Sequence, residues 1–594
     1  MCGINGIVGY PPEKIFQMNE SLKHRGPDGD SYFKDEKVAI GHTLLSIRSN
    51  DLKGSTQPFS NINWALCFNG EIYNIKEITK KFSLKQSDLD TDILFQLVNK
   101  VGLNFIKYIH GMYAICLYDK KSQKIYLFRD QSGQKSIFYT TQNKNFAFSS
   151  EIAPILNLGV DKRVNEKSLS FLNDLGYIPA PYSIFKNIFK VLPSERIEFD
   201  LTRRTIRKKI LTEYESDFFK LNPDQAITEC VKLHIQSKKK LGINLSGGLD
   251  SSIILHEASK NDIDIFTYTQ KFETQNKIFN EESILAKKLS KDYKTKHREI
   301  YISEKLYKSN LIESHWILEE PNYNLNLSNT LIAAKIQGIQ GDKNRVLLLG
   351  DGGDEVFGGY TYYYERNQEV KRYLKFMPFP IYNLLKYIKN KNYINYKSFF
   401  QRWHYFRSMK ENYLKTQSNN ISDLYFYDDL SKIFPQKNCL IHETMLMDRL
   451  VWLPSENFHR GDKIFMNQSI ENRSPLSYFP LNVVFDKKLR GDSYLNKKDN
   501  KIFIRQLYQN KLPDYIINRS TKWGYRPPWI HWFAGMKNFI LELFINAQKY
   551  DEHVNWEKLI IEVNNTTDSP SRSIQSYLSY AILLMKYNKV NISL

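Results

Sequence analysis

The sequence predicts two successive units: an α+β unit of short strands, then an α/β unit built on a parallel sheet. Three observations carry this. A chain of 594 residues is too long for one core, because single domains run to ~100–200 residues. Residues 1–155 read as short β-runs with turn punctuation and few long amphipathic periods. From about residue 205, strands alternate with helices, the pattern of a parallel sheet that binds ligands at its strand ends.

In the first unit, WALCFNGEIYN (64–74), MYAICLYDKKSQKIYLFRD (112–130) and SIFYTTQNKNFAFSSE (136–151) are the strand-forming runs. The middle one is two strands around a polar KKSQ turn. LDTDILFQLVNKV (89–101) has apolar residues at helical spacing and an Asp near its start. The unit is expected to end near residue 200. In the second unit, KKKLGINLSGGLDSSIILHEASK (238–260) reads as strand, glycine loop and helix. DIFTYTQKF (264–272) reads as a strand, EESILAKKLSKDY (281–293) as a helix, and NRVLLLGDGGDE (344–355) as strand and loop. Residues 361–445 are dense in aromatic and basic residues, with few turn signals, and read as a helical insert.

Composition narrows the class. The 42% hydrophobic and 14% aromatic content suffices for packed interiors. No run approaches the ~18 apolar residues of a membrane span, so no integral membrane association is expected. The start, MCGINGIVGYPPEK, has no basic leader followed by an apolar run, which makes the cytoplasm the expected compartment. Five cysteines, Cys2, Cys67, Cys116, Cys230 and Cys439, are scattered and odd in number. They suggest neither a disulfide framework nor a zinc site. The net charge of +20 would suit nucleic acid, yet it is spread through a Lys-, Asn- and Ile-rich chain without zinc-finger spacing or an RNP signature. No nucleic-acid partner is expected.

Two motifs carry chemistry. A thiol at position 2 becomes the first residue once Met1 is removed. Its own α-amino group, with a pKa near ~8, can then act as base, as it does for N-terminal Thr nucleophiles. SGGLDSS (246–252) lies where a strand turns into a helix, so backbone amides and a helix N-terminus can face a pyrophosphate. It lacks the GK[ST] of a Walker A loop.

MCGI (1–4), HRGPD (24–28), FNGEIYN (68–74) and LFRDQSG (127–133) together resemble the class II glutamine amidotransferase domain of asparagine synthetases. SGGLDSS resembles the SGGxDS loop of ATP-pyrophosphatases, and LGDGGDEVFGGY (349–360) the matching block of asparagine synthetases. MNQSIENRSPL (466–476), KIFIR (501–505) and RSTKWGY (519–525) are similar to that family's later elements. The resemblance implies an αββα N-terminal-nucleophile sandwich over 1–200. An ATP-pyrophosphatase domain with a helical C-terminal part, over 205–594, would follow.

The resemblance also implies roles. Cys2 would attack the glutamine amide, Asn69 and Gly70 would form the oxyanion hole, and Glu71 and Asp90 would hold the glutamine ammonium group. Leu245, Ser246, Gly247, Gly248, Asp250, Ser251, Gly350 and Lys501 would bind ATP, while Asp250 and Asp354 would hold Mg²⁺. Asp351 and Glu471 would face the substrate, with Arg473 kept beside Glu471, and Lys522 would neutralise charge in the adenylation transition state.

Three positions depart from the family pattern. Leu44 stands where the family's HxRLSI has the Arg that grips the glutamine carboxylate, and Leu cannot pair a carboxylate. Arg48 is four residues on, which along a strand is ~13 Å. Asp351 replaces a common Glu, and Ser477 an Asp. The expected reaction is ATP, L-aspartate and L-glutamine giving AMP, pyrophosphate, L-asparagine and L-glutamate. Another carboxylate acceptor, such as a uronic acid in surface-polysaccharide synthesis, is the alternative. A nucleic-acid-modifying ATP-pyrophosphatase ranks below both. A homodimer is compatible with either enzyme reading.

Overall fold

The computed structural model describes residues 2–48, 56–338, 341–365, 434, 440–489, 491–496, 499–519 and 526–592. The strands of the first part are β1 (Gly3–Val8), β2 (Gly29–Lys34), β3 (Val38–Leu44), β4 (Phe59–Ser60), β5 (Trp64–Ile72) and β6 (Gly111–Asp119). They continue with β7 (Lys124–Arg129), β8 (Phe138–Thr140), β9 (Phe146–Ser149), β10 (Phe189–Lys190), β11 (Glu195–Asp200) and β12 (Thr205–Ile210). They form two six-stranded sheets, ordered β10-β8-β9-β1-β3-β2 and β12-β11-β7-β6-β5-β4. Neighbours run antiparallel throughout.

The period-2 alternation of strand side chains builds the layers. Ala65 and Cys67 of β5, Ala114 and Cys116 of β6, and Ile125 and Leu127 of β7 pack with Ile4 and Ile40 of the other sheet. The intervening Leu66, Phe68, Ile115, Leu117 and Phe128 face outward onto Ile93, Leu94, Leu97 and Val98 of helix Asp90–Val101. On the far side, Ile7 and Ala39 pack on Ile15 and Met18 of helix Lys14–Glu20. Helix, sheet, sheet and helix thus stack in the expected αββα order. The second sheet runs further than the sequence reading allowed. β12 pairs with β11 from Thr205 to Asp200 and from Ile210 to Glu195. The unit therefore extends ten residues past residue 200, because an exposed charged edge strand carries little hydrophobic signal.

The third sheet contains β13 (Leu241–Asn244), β14 (Phe266–Phe272), β15 (Lys296–Ile302), β16 (Val346–Leu348) and β17 (Glu471–Arg473). Its order is β15-β14-β13-β16-β17, and all pairs are parallel. The chain winds outward in one direction from β13, then returns to β16 on its other side. This reversal opens a crevice at the carboxyl ends of β13 and β16, where open α/β sheets bind ligands. Helix Leu249–Ser259 leaves β13, and helix Gly353–Phe357 leaves β16. Most of the insert expected at 361–445 lies outside the described residues, and helix Leu440–Met447 is at its end. No helix among the described residues is long and apolar enough to cross a membrane.

A buried seam of ion pairs joins the two parts. Arg25, fully buried, donates from Nη1 to Glu151 at 2.9 Å and from Nη2 to Asp462 at 2.8 Å. Lys463 pairs with Glu151 at 2.5 Å and with Glu319 at 2.8 Å, and Lys135 lies 3.5 Å from Asp462. Despite burial, Lys463, His24 and Arg25 hold the Glu151 carboxyl well below the usual range. Removing one member of such a set strands its partner's charge away from water, at a cost of about 3–5 kcal/mol. Asp462→Asn is therefore expected to lower the urea midpoint by that equivalent. An unchanged midpoint would show that the seam carries no stability.

Candidate functional site

Cys2 lies just ahead of β1, where the end of the first sheet meets β5 of the second. The next residue is pinned by Gly3 N donating to Thr43 Oγ1 at 3.0 Å. The Cys2 backbone nitrogen donates to Asn69 Oδ1 at 3.0 Å. That bond turns the amide so that Asn69 Nδ2, buried, has no hydrogen-bond partner among the described residues. A spare buried donor costs stability unless something uses it, and here it belongs to the side chain that holds the Cys2 backbone nitrogen. Gly70 has φ +150°, and a Cβ there would lie 2.0 Å from the Met112 carbonyl oxygen, so only glycine fits. Burial pushes the Cys2 thiol up, and the positive amino terminus pulls it partly back.

A cleft of about 50 Å³ opens over Cys2, its walls including Leu44, Arg48, Gly70, Glu71 and Asp90. Asp90 begins its helix and accepts from Ile72 N at 3.1 Å and Thr91 N at 2.9 Å. Arg48 Nε is ion-paired with Glu71 Oε1 and lies 4.0 Å from Asp90 Oδ2. Arg48 therefore reaches the cleft that Leu44 lines. The extended-strand separation does not apply, because β3 ends at Leu44 and the chain bends at Ile47 and Arg48. From behind, Arg473 lies 3.4 Å from Glu71 and donates to Glu471 at 2.5 Å. Burial raises the Glu71 carboxyl to about 7 against the pull of Arg48 and Arg473. Glu471 goes the other way, to about 2: burial is outweighed by the amino terminus, Arg473 and Lys135.

The second site occupies the crevice at the ends of β13 and β16. Leu245 N donates to Tyr268 O at 2.8 Å, ending the strand. The loop that follows closes on its own hydroxyls: Gly248 N donates to Ser246 Oγ at 3.2 Å, and the Ser246 and Ser251 hydroxyls are 2.9 Å apart. The two loops touch at Gly353, where a Cβ would lie 2.5 Å from Asp250 Cγ. Gly350 backs onto Asp250 in the same way at 3.2 Å. Asp250 and Asp354 converge on one cationic point, the Lys501 ammonium, at 2.5 Å and 2.6 Å.

Two hard carboxylate oxygens aimed at one centre suit Mg²⁺, which takes few protein ligands and completes its shell with phosphates and water. No group of three or more His, Cys, Asp or Glu able to hold a metal exists among the described residues. Ser477 Oγ donates to the Asp351 carbonyl at 2.9 Å, so the substituted serine ties down the loop that carries Asp351. A cavity of about 310 Å³ is lined by Asn500, Arg505 and Arg519, next to Lys501 in the chain.

Residues 1–210 match the family model of glutamine amidotransferase domains, and residues 223–577 that of asparagine synthases. The chain belongs to the asparagine synthase family. A Methanocaldococcus jannaschii protein, provisionally named glutamine-hydrolysing asparagine synthetase 2, is 32% identical over 61% of this chain and 76% of its own. Glutamine-hydrolysing asparagine synthetase 1 of Bacillus subtilis is 27% identical over 93% of this chain and 91% of its own. Membership makes the chain a ligase of the amidotransferase class, coupling glutamine to the amidation of an acceptor.

Of the residues singled out in the sequence, the amidotransferase part brings Cys2, Asn69, Gly70, Glu71 and Asp90 to one cleft. The synthase part brings Leu245, Ser246, Gly247, Gly248, Asp250, Ser251, Gly350, Asp351, Asp354 and Lys501 to the other. Glu471, on β17, does not join the second crevice through its carboxylate. It is fully buried, paired with Arg473, and faces the amidotransferase side. Lys522 lies outside the described residues. Sequence reasoning missed Arg25, Asp462 and Lys463. Arg25 was visible within HRGPD, but its partner is 437 residues away, and no local pattern reveals such a pairing.

The raised Glu71 carboxyl gives a pH prediction. Below about pH 7 the group takes up a proton and loses the charge that would attract a substrate ammonium. The apparent KM for glutamine is therefore expected to rise as pH falls through that range, while Glu71→Gln should give a high, flatter profile. Steady-state glutamate release across pH checks this. An identical pH dependence in both proteins would contradict it.

Proposed function

We propose that this chain makes an amide from a carboxylate, using ammonia from glutamine at Cys2 and ATP at the crevice of the parallel sheet, with L-aspartate as acceptor and L-asparagine as product. The observation that carries the reading is the presence of both halves in one chain. A buried cysteine lies beside an unpartnered amide donor, and two carboxylates converge on a cation at a strand-end crevice.

In the first half, the Cys2 sulfur attacks the glutamine side-chain carbonyl carbon, and the resulting oxyanion accepts from Asn69 Nδ2 and the Gly70 backbone. Such preorganised donors are worth about 3–4 kcal/mol in the transition state. Collapse expels ammonia, and water then releases glutamate from the thioester. In the second half, an acceptor carboxylate oxygen attacks the α-phosphorus of ATP, and pyrophosphate leaves. Ammonia attacks the acyl carbon of the adenylate and displaces AMP. Bound between Asp250 and Asp354, Mg²⁺ would neutralise triphosphate charge. Lys501 stands at those carboxylates, where it would meet phosphate oxygens, and a cavity of about 310 Å³ lined by Arg505 and Arg519 adjoins it in the chain.

Ammonia free in water at pH 7 would be mostly protonated, so transfer inside the protein favours the nucleophilic form. A reducing cytoplasmic setting suits the four buried free thiols among the described residues, Cys2, Cys67, Cys116 and Cys230. The Ser477 hydroxyl at the Asp351 loop favours keeping a second acceptor class, a uronic acid or related carboxylate, because the shorter side chains alter the wall that meets the acceptor.

ATP–pyrophosphate exchange over a panel of carboxylates, aspartate first, is expected to show exchange with aspartate. Exchange only with a sugar acid would replace the acceptor and keep the chemistry. Asp250→Asn and Asp354→Asn should each abolish pyrophosphate release with glutamine or added ammonia as nitrogen source. Cys2→Ala should abolish product formation with glutamine alone. Equal loss with both nitrogen sources in the Cys2 variant would sink the division between sites.

A further inference from the structure

The cleft over Cys2 holds an unusual set of charges. Two carboxylates, Glu71 and Asp90, face it, and the guanidinium among its walls, that of Arg48, is spent on them. Arg48 is also anchored by Nη2 donating to the Ile72 carbonyl at 3.2 Å, and its side chain is 12% exposed. Leu44 offers the cleft only hydrocarbon. Arg473, on the far side of Glu71, is fixed by the His234 and Gln236 carbonyls at 2.6 Å and 2.8 Å and by Glu471. It therefore cannot turn into the cleft. An incoming α-amino-acid amide brings one ammonium and one carboxylate, and its ammonium can reach Glu71 and Asp90 only where the Arg48 guanidinium now sits.

We propose that Arg48 is the carboxylate-binding, specificity-determining residue of the Cys2 cleft. At rest its guanidinium stands in for the substrate ammonium on Glu71 and Asp90, and the entering ammonium releases it to pair with the substrate carboxylate. The inference rests on the proposed glutaminase role of Cys2. The exchange breaks one ion pair and forms two. One guanidinium–carboxylate contact is broken, an ammonium–carboxylate contact replaces it, and a new guanidinium–carboxylate contact forms with the ligand. An amide that carries an ammonium but no carboxylate would leave the largely buried Arg48 without a partner, where an unpaired charge is costly. An amide with a carboxylate but no ammonium would have to compete with Glu71 for Arg48. The cleft therefore reads both charges together, although position 44 contributes nothing to either.

The test compares three amides within each protein: L-glutamine, 4-aminobutanamide (no carboxylate) and 4-carbamoylbutanoate (no ammonium). Ammonia release gives kcat/KM for each. Wild type is expected to prefer glutamine over 4-aminobutanamide by at least about 10-fold, the value of a charge-assisted pair. Arg48→Gln should bring that ratio close to one, and Arg48→Lys should keep part of it. A fall in folded fraction lowers all three rates alike and leaves the ratios unmoved. A wild-type ratio retained in Arg48→Gln, or faster glutamine hydrolysis by that variant, would show that Arg48 only obstructs the cleft and would overturn the inference. Wild type that releases no glutamate, and whose Cys2 resists alkylation by 6-diazo-5-oxo-L-norleucine, would overturn the glutaminase reading and this inference with it.

Discussion

The buried ion-pair seam at Arg25, Glu151, Asp462 and Lys463 is the constraint on which the rest depends. Full desolvation of these charges is tolerable only because each finds a partner of opposite sign across the contact. The pairing fixes the register between the antiparallel sandwich and the parallel sheet. Arg25 also donates from Nε to the Cys2 carbonyl at 3.3 Å, so the group that welds the two parts together also positions the nucleophile. Glu471 and Arg473 repeat the theme: they belong to β17 of the third sheet, yet they pair toward Glu71 in the cleft of the second. The Cys2 cleft is thus backed by residues from the other part.

Both sites share one electrostatic device. In the cleft, Arg48 holds Glu71 and Asp90 together; in the crevice, Lys501 holds Asp250 and Asp354. Each cation stabilises a pair of carboxylates that would otherwise repel one another in a low-dielectric site. Lys501 achieves this from a left-handed backbone conformation, φ +52°, at the start of helix Ile502–Tyr508. A non-glycine residue held there signals local strain at a functional position. The protein thus keeps its anionic binding groups assembled before substrate arrives.

Much of the fold was legible because it is local. The alternation in WALCFNGEIYN and the KKSQ hairpin sit on β5, β6 and β7, and the strand–loop–helix of LGINLSGGLDSS sits at the switch point of the parallel sheet. Misreadings arose where long-range geometry decides. β12 is a charged edge strand whose membership is set by hydrogen bonds to β11, so its TIRKKI sequence fell to the second unit. Strand spacing puts Arg48 ~13 Å from Leu44, yet the backbone bend after Leu44 brings it to the cleft. The seam spans over four hundred residues of sequence and leaves no periodic trace. The motif that singled out Glu471 says nothing of its burial or of its pairing with Arg473.

The central claim is that nitrogen passes from the Cys2 cleft to the adenylating crevice without entering bulk solvent. Isotope competition tests it directly. The enzyme is supplied with glutamine labelled with ¹⁵N at the side-chain amide, in an excess of unlabelled ammonium, and the amide nitrogen of the product is analysed by mass spectrometry. The account predicts that the product keeps the ¹⁵N enrichment of the glutamine as external ammonium is raised. Dilution of the label to the isotopic ratio of the bulk ammonia pool would contradict it.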